Sequence, residues 1–403
     1  MTGETGATTG RSGERTRLRL LQLTGLTSSC DRFSLAPLMV VISIDMRAPL
    51  VAVIAVASAY YLAYGLMQPV WGLVSDRIGR VRVMRIALLG AALAGVVSAV
   101  APNLLVLGIS RTIAAACVAA LIPATLVYVG DMWPAQMRQR PLAEVLTASS
   151  LGTALATAGA GVAADLVGWR VVPAATGVAA AALWVALRRL PEPEREPVTR
   201  SPMRSLGAVV RHRWALAVLV LVLVEGAVVL GVVTYLAPAV QALGASAAIA
   251  GLVAASFGVG AVVLSRVVRL LVGRLSASGL AAIGAAMLIA GWTLPALTVS
   301  LTTVTVGGLL VGGSWAFLHT TLQSWATEVV PGERAAMIAL FAALLFLGGS
   351  VGTAVLAPLA DAAAFDTVFR AALTVSVPLA IAAVLARRRY GDRGTVDPGP
   401  VAD

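Results

Sequence analysis

Apolar stretches of about twenty residues alternate with short polar loops along nearly the whole chain. Twelve are predicted, at about 20–44, 49–73, 83–101, 104–129, 142–164, 170–187, 214–240, 247–271, 277–297, 302–327, 335–358 and 367–386. About 20 residues at 1.5 Å per residue cross roughly 30 Å of hydrocarbon. None of the stretches alternates polar and apolar residues in the way a barrel strand would. In lipid a helix satisfies its own backbone, so the pattern predicts an all-α membrane protein with twelve transmembrane helices.

The polar loops give an orientation. Every one of the 30 basic residues is arginine, and threading twelve spans with both ends on one face puts 25 of them there. They include Arg77, Arg80, Arg82 and Arg85 in the second loop, seven from Arg188 to Arg213, and Arg387, Arg388, Arg389 and Arg393 near the end. The other face keeps Arg47, Arg170 and Arg370. The positive-inside rule then predicts a multi-pass protein of the cell (cytoplasmic) membrane with both termini cytoplasmic. Composition agrees: 59% hydrophobic residues, 12% charged and a mean hydropathy of +0.91. The net charge of +11 is not read as nucleic-acid binding, because these arginines flank spans and face anionic lipid. Residues 1–19, rich in Gly, Thr and Arg, are expected to be disordered and not a cleaved signal peptide. Cys30 and Cys117 both fall within spans, so no extracellular disulfide framework is expected.

Residues 188–213, with four prolines and many charges, form the one long polar break. Five segments are expected: the tail 1–19, a six-helix bundle at 20–187, a cytoplasmic linker at 188–213, a second bundle at 214–388, and a tail at 389–403. An internal repeat supports the division. Asp131 stands three residues before Pro134, and Asp165 ends the next span. Glu328 stands three residues before Pro331, and Asp361 ends the next span. Parallel half-repeats of six helices are a transporter layout with a central site.

The second loop reads Gly72-Leu73-Val74-Ser75-Asp76-Arg77-Ile78-Gly79-Arg80-Val81-Arg82. This resembles the signature loop of the major facilitator superfamily, in the expected place between spans 2 and 3, and the resemblance extends over residues 17 to 388. It implies two pseudo-symmetric six-helix bundles, the major facilitator fold. It also implies a cytoplasmic gate built from Gly72, Asp76, Arg77, Gly79 and Arg80, with Asp131 as the expected carboxylate partner. Positive-inside anchoring alone is the alternative role for these arginines. The second half carries a worn copy, Arg266, Arg269, Gly273 and Arg274, without an aspartate. Span 5 has Gly152 and then Ala158-Gly159-Ala160-Gly161 but no proline. The fingerprint of the twelve-helix drug:proton antiporters, which the chain otherwise resembles, is therefore incomplete. Gly348 and Gly352 read as helix-packing glycines.

Charges inside a bilayer are costly and mark function. Asp31 and Arg32 fall in span 1, Arg111 in span 4, Glu225 in span 7, and His319 and Gln323 one turn apart in span 10. The resemblance implies that spans 1, 4, 7 and 10 line the cavity, and that Arg111 matches an arginine of proton-coupled members. Asp31 is the first candidate for proton coupling, because burial disfavours a charged carboxylate while a nearby cation favours it. A permanent Asp31–Arg111 or Asp31–Arg32 pair that only fixes packing is the alternative. Glu225 is a candidate to bind a cationic substrate, carry the proton, or bond a neighbouring helix. His319 would shuttle protons or simply hydrogen-bond. Tyr60, Tyr64, Tyr128, Trp315 and Trp325 are candidates for the pocket wall or for interface anchors.

No phosphate-cradling loop or metal-ligand cluster is visible, so neither an enzyme nor a cofactor is expected. The expectation is a monomeric, proton-coupled exporter of a small organic compound; the scattered acids suit lipophilic cations, and neutral compounds fit nearly as well. An importer of a small metabolite, or a non-transporting membrane sensor on the same scaffold, stays open. The expected partners are a small-molecule substrate, protons and the bilayer, with no nucleic acid.

Overall fold

The computed structural model describes residues 4–194 and 202–394. Eleven helices in it are long and apolar enough to cross a membrane. They are α2 (Leu50–Ile78), α3 (Arg80–Ala99), α4 (Leu104–Met132), α5 (Gln139–Leu166), α6 (Val171–Arg189), α7 (Arg213–Gln241), α8 (Ala247–Leu271), α9 (Ala277–Leu297), α10 (Leu301–Val329), α11 (Pro331–Asp361) and α12 (Phe365–Gly391). The rod before them, α1 (Glu4–Phe33), resumes after a short 3-10 turn as Met39–Asp45 and completes twelve. It fails a plain length-and-charge criterion because the turn interrupts it and because Arg17, Arg19, Asp31 and Arg32 crowd its last stretch.

The tail corrects one expectation. Residues 1–19 read as disordered, yet α1 is helical from Glu4, and residues 1–3 lie outside the described residues. Extending an existing helix is far easier than nucleating one, so a span already formed in the membrane carries its polar end along. Glu14 ties that end down by accepting from Trp133 Nε1 at 2.7 Å. The linker contains a short helix, Pro202–Arg211.

The two halves repeat one packing scheme. In the first, α1 packs on α5, α2 on α4, and α3 on both α4 and α6; in the second, α7 packs on α11, α8 on α10, and α9 on both α10 and α12. The halves meet through α2 on α11 and α5 on α8. Glycine makes these meetings close: a Cβ on Gly161 would lie 2.1 Å from the carbonyl oxygen of Ala247. Gly161 of span 5 thus packs against the other half, as small residues do wherever membrane helices approach closely.

Four helices lose regular α geometry near their middles. α1 bends at Ser34–Leu35, α4 turns at Ala119–Ala120, and α7 and α10 carry π-helical segments at Ala227–Gly231 and Trp315–His319. A π-bulge widens a turn and re-aims side chains, and such bulges gather at functional sites. These are spans 1, 4, 7 and 10, the same four that hold the buried ionisable residues.

Side-chain bonds fasten the halves together on the arginine-poor side. Asp165 of α5 accepts from the N–H groups of Ala247 and Ala248 at 3.2 and 2.8 Å, so it caps α8. Asp361 of α11 accepts from Val51 N–H at 3.0 Å and caps α2. Ser58 bonds Ser350 at 3.0 Å, and Gln241 donates to the Pro37 carbonyl at 3.3 Å. Towards the arginine-rich side an open crevice between α1 and α5, of about 660 Å³, runs from Leu151 to Arg19 and Arg140.

Candidate functional site

Two acid–base pairs lie buried near mid-membrane, one in each half. In the first, Arg111 Nη1 donates to Asp31 Oδ1 and Nη2 to Oδ2, each at 2.9 Å. Nη2 also reaches the Asp31 carbonyl at 2.9 Å. Tyr60 donates to Oδ2 at 2.7 Å and Thr176 to Oδ1 at 3.3 Å. Asp31 and Arg111 are 4% and 3% exposed, so burial is nearly complete and both carboxylate oxygens are doubly served. A bidentate pair with its remaining lone pairs satisfied is the arrangement in which a buried salt bridge holds.

The second pair is built differently. Glu225 Oε2 lies 3.0 Å from His319 Nδ1, with the two residues 1% and 6% exposed. Glu225 Oε1 is buried and accepts from no described group. The His319 ring stacks on Trp315, centroids 3.7 Å apart, and meets Phe341 at 5.5 Å. Glu225 stands two residues before the π segment of α7, and His319 closes that of α10. Sequence spacing placed both on candidate helices but did not predict that they touch. Gln323, one turn further along α10, is exposed and stands apart from the pair.

Arg32 turns away from its neighbour Asp31. Its Nη1 donates to Tyr64 Oη at 3.2 Å, and it faces a cleft between the halves lined also by Tyr60, Tyr61, Thr157 and Thr234. Tyr60 therefore touches both the cleft and Asp31. Neither member of the Glu225–His319 pair lines this cleft. Among the other aromatics, Tyr128 donates to the Pro191 carbonyl at 3.1 Å, and Trp325 packs between Trp214 and Tyr390 near the membrane surface.

At the arginine-rich face the signature loop folds around Arg80. Its Nη1 lies 2.5 Å from Asp76 Oδ1 and its Nε 3.2 Å from Asp131 Oδ2. Gly72 and Arg77 take no part in this bridge. Gly79 has φ +110°, and a Cβ there would meet the Glu192 carboxylate at 2.5 Å. Both facts require glycine. Glu192 accepts from the N–H groups of Val81 and Arg82 at 3.1 Å each and caps α3. The sequence reading missed Glu192, although an acid just past span 6 was the available signal. In the second half Glu328, counterpart of Asp131, pairs with Arg387 of α12 at 2.8 Å. Gly273 keeps a positive φ of +85°, so the worn loop retains its turn without its aspartate.

On the arginine-poor face, one residue beyond the first span, Asp45 accepts from Trp169 Nε1 at 3.0 Å and pairs with Arg170. The Trp169 hydrogen bond, followed by the Arg170 bond and charge, holds its carboxyl below the usual carboxylate range. Among the described residues no group of three or more His, Cys, Asp or Glu side chains forms a metal site.

The sequence profile of the Major Facilitator Superfamily matches residues 21–353. The chain belongs to this superfamily. Its fold is also that of solved transporters. It is similar to a point mutant of the nucleoside transporter NupG, with a TM-score of 0.78, 14% identity, and coverage of 92% of this chain and 99% of that one. It is likewise similar to a D-xylose-proton symporter, with a TM-score of 0.75, 18% identity, and coverage of 91% and 96%. At such identities the likeness establishes the fold alone. Over 100 residues the chain is 39% identical to a triacylglyceride transporter of Mycolicibacterium hassiacum and 36% identical to one of Mycolicibacterium smegmatis. These matches cover 25% of this chain, and 19% and 18% of the relatives, so the chain aligns with about a fifth of their length. The protein is a multi-pass integral membrane protein of this superfamily.

Proposed function

We propose that the protein is a proton-coupled exporter that moves a small organic compound out of the cell by alternating access. The observation that carries this reading is the Glu225–His319 pair, a sealed acid–base couple with one carboxylate oxygen unpaired. A buried carboxylate with a free oxygen has a place for a proton, and an imidazole 3.0 Å away can take or give one. Both groups sit at π-bulged turns of helices that a swing of the halves would re-aim. The Asp31–Arg111 pair, first choice from sequence, is served on every side and acts in this reading as a positioning element. Tyr60 connects it to the cleft, so a bound substrate would be felt at Asp31 without Asp31 losing its partner.

In this reading the arginine-rich face is cytoplasmic and both termini lie there. The halves form two six-helix units, with boundaries near 187 and 214, that rock about the cleft as a monomer. The structure is fastened on the outer side, and the crevice between α1 and α5 faces inward, a state that loads substrate from the cell. Arg80, held by Asp76 and Asp131, is then an inner gate in its released position. Each proton entering at 100 mV supplies about 2.3 kcal/mol to drive export. The apolar wall of the crevice, and the triacylglyceride transporters among the relatives, support a lipophilic substrate.

The test is a toxicity screen of cells expressing wild type or Glu225→Gln, followed by proton flux in proteoliposomes with each compound found. Wild type should lower internal compound and release protons on its addition, and the variant should do neither. Raised internal compound would make the protein an importer. Proton release undiminished in Glu225→Gln would remove the pair from the mechanism.

A further inference from the structure

Among the described residues, Arg32 is a mid-membrane cation with no carboxylate within salt-bridge distance. The buried carboxylates nearby are already committed, Asp31 to Arg111 and Glu225 to His319. Apart from Tyr64, the Arg32 guanidinium meets ring faces: its carbon lies 4.7 Å from the Phe33 centroid, 5.2 Å from Tyr64 and 5.5 Å from Phe346. Its Nε is buried and makes no hydrogen bond. Aromatic faces soften a cation's desolvation but do not replace a counter-ion. Phe346 belongs to the second half, so this cation stands at the seam that opens and closes. The cleft it faces is nearly closed in this structure, with about 20 Å³ open to water-sized molecules, so a substrate must widen it on entry; its other polar groups are the hydroxyls of Tyr60, Tyr61, Thr157 and Thr234.

Resting on the transporter reading above, we propose that the substrate is an organic anion whose carboxylate, sulfonate or phosphate-type group docks on Arg32. The guanidinium fork matches such groups with two parallel N–H donors. The apolar body of the substrate lies against Tyr60, Tyr61 and Met39. This reverses the sign suggested by the sequence, where scattered acids suited lipophilic cations. The reversal has a simple origin: each of those acids has a base of its own, and the surplus charge in the cleft is positive. Because Arg32 also touches Phe346 across the seam, an anion seated on it draws the guanidinium from its aromatic bed and loosens that contact.

The experiment reads the charge of the cleft directly. In the full chain with Cys30→Ser and Cys117→Ser, Ala36→Cys places a thiol one turn from Arg32 on the cleft wall. Two thiosulfonate reagents of similar size, one sulfonate-tailed and one trimethylammonium-tailed, are compared, each rate normalised to that with a free thiol in solution. The sulfonate reagent should react roughly two hundredfold faster, because one unit charge at about 10 Å and an effective dielectric of about 20 changes each rate about fifteenfold, in opposite directions for the two reagents. Arg32→Lys should keep the preference and Arg32→Gln should abolish it. Preference for the cationic reagent, or a ratio unmoved by Arg32→Gln, would overturn the proposal. A protein that moved no protons with any compound would sink the transporter reading while leaving this ratio intact, so the two failures are separable.

Discussion

The two halves bury an acid and a base at similar depth and treat them in opposite ways. Asp31 and Arg111 exchange parallel bonds, and Tyr60 and Thr176 take up what remains. Glu225 and His319 share a single contact and leave an oxygen bare. A saturated pair resists change because any proton arriving must displace a partner. An unsaturated pair accepts one without breaking anything. One packing scheme is used twice, and the buried pairs within it differ in how fully their polar atoms are satisfied.

The largest expected effect tests the saturated side. Asp31→Asn leaves Arg111 buried and uncompensated, and breaking such a pair costs about 3–5 kcal/mol. Thermal unfolding of the purified protein should fall accordingly, and Asp31→Asn with Arg111→Gln should recover much of the loss. Stability unchanged by Asp31→Asn would mean that the first pair is not structural. Next comes the unsaturated side. Glu225→Gln should leave unfolding nearly where it was yet reduce proton-coupled transport by at least roughly a hundredfold, the scale of losing a proton-transfer group. A large drop in melting temperature with transport per folded molecule intact would invert the comparison.

A third change sharpens it by moving the acid without altering its chemistry. A Cβ on Gly226 would lie 1.9 Å from the Leu345 carbonyl oxygen, so Gly226→Ala must push α7 off α11. About 1–3 kcal/mol of stability should be lost, as for other overpacked sites. The Glu225–His319 distance should change with it, visible as an altered pH profile of transport. Ala on a glycine that faces open space, such as Gly159, is the control.

The smallest effect lies outside the membrane. The Asp45 carboxyl is held below its ordinary range by Trp169 and Arg170. Its stabilising share is therefore complete above the usual aspartate pKa and disappears as pH falls through the lowered value. In Asp45→Asn that part of the acid-side loss should be missing, by an amount near the detection limit of a melting curve, because the pair is well exposed. A variant whose acid-side curve is shallower than this by several degrees would make the outer face a real stability determinant.

Much of the fold was readable because hydropathy reports burial in lipid directly. The span predicted at 247–271 is α8 to the residue, and that at 277–297 is α9. The misses have physical causes. The spans predicted at 49–73 and 335–358 stop short of α2 and α11 because those helices continue past the hydrocarbon into polar loops. The N-terminal tail was misread because composition describes a free chain and not one attached to a helix. At the site, depth was legible and partnership was not. Single charges in apolar runs mark Asp31, Arg111, Glu225 and His319, but only the azimuth of each helix decides that Arg32 turns from Asp31 or that Gln323 stands apart. Those angles depend on bends and π turns that no residue pattern announces.

The exchanged caps, Asp165 on α8 and Asp361 on α2, have a consequence for how fast the molecule can turn over. Each half lends the other a carboxylate at the aqueous rim, where solvent can replace it the moment it leaves. Had the same fasteners been placed in the oily middle, every cycle would expose naked amides to lipid, and the swing would stall. Under the proposed rocking of the halves, fasteners at the shoreline would keep that side shut between cycles yet let it open at little cost.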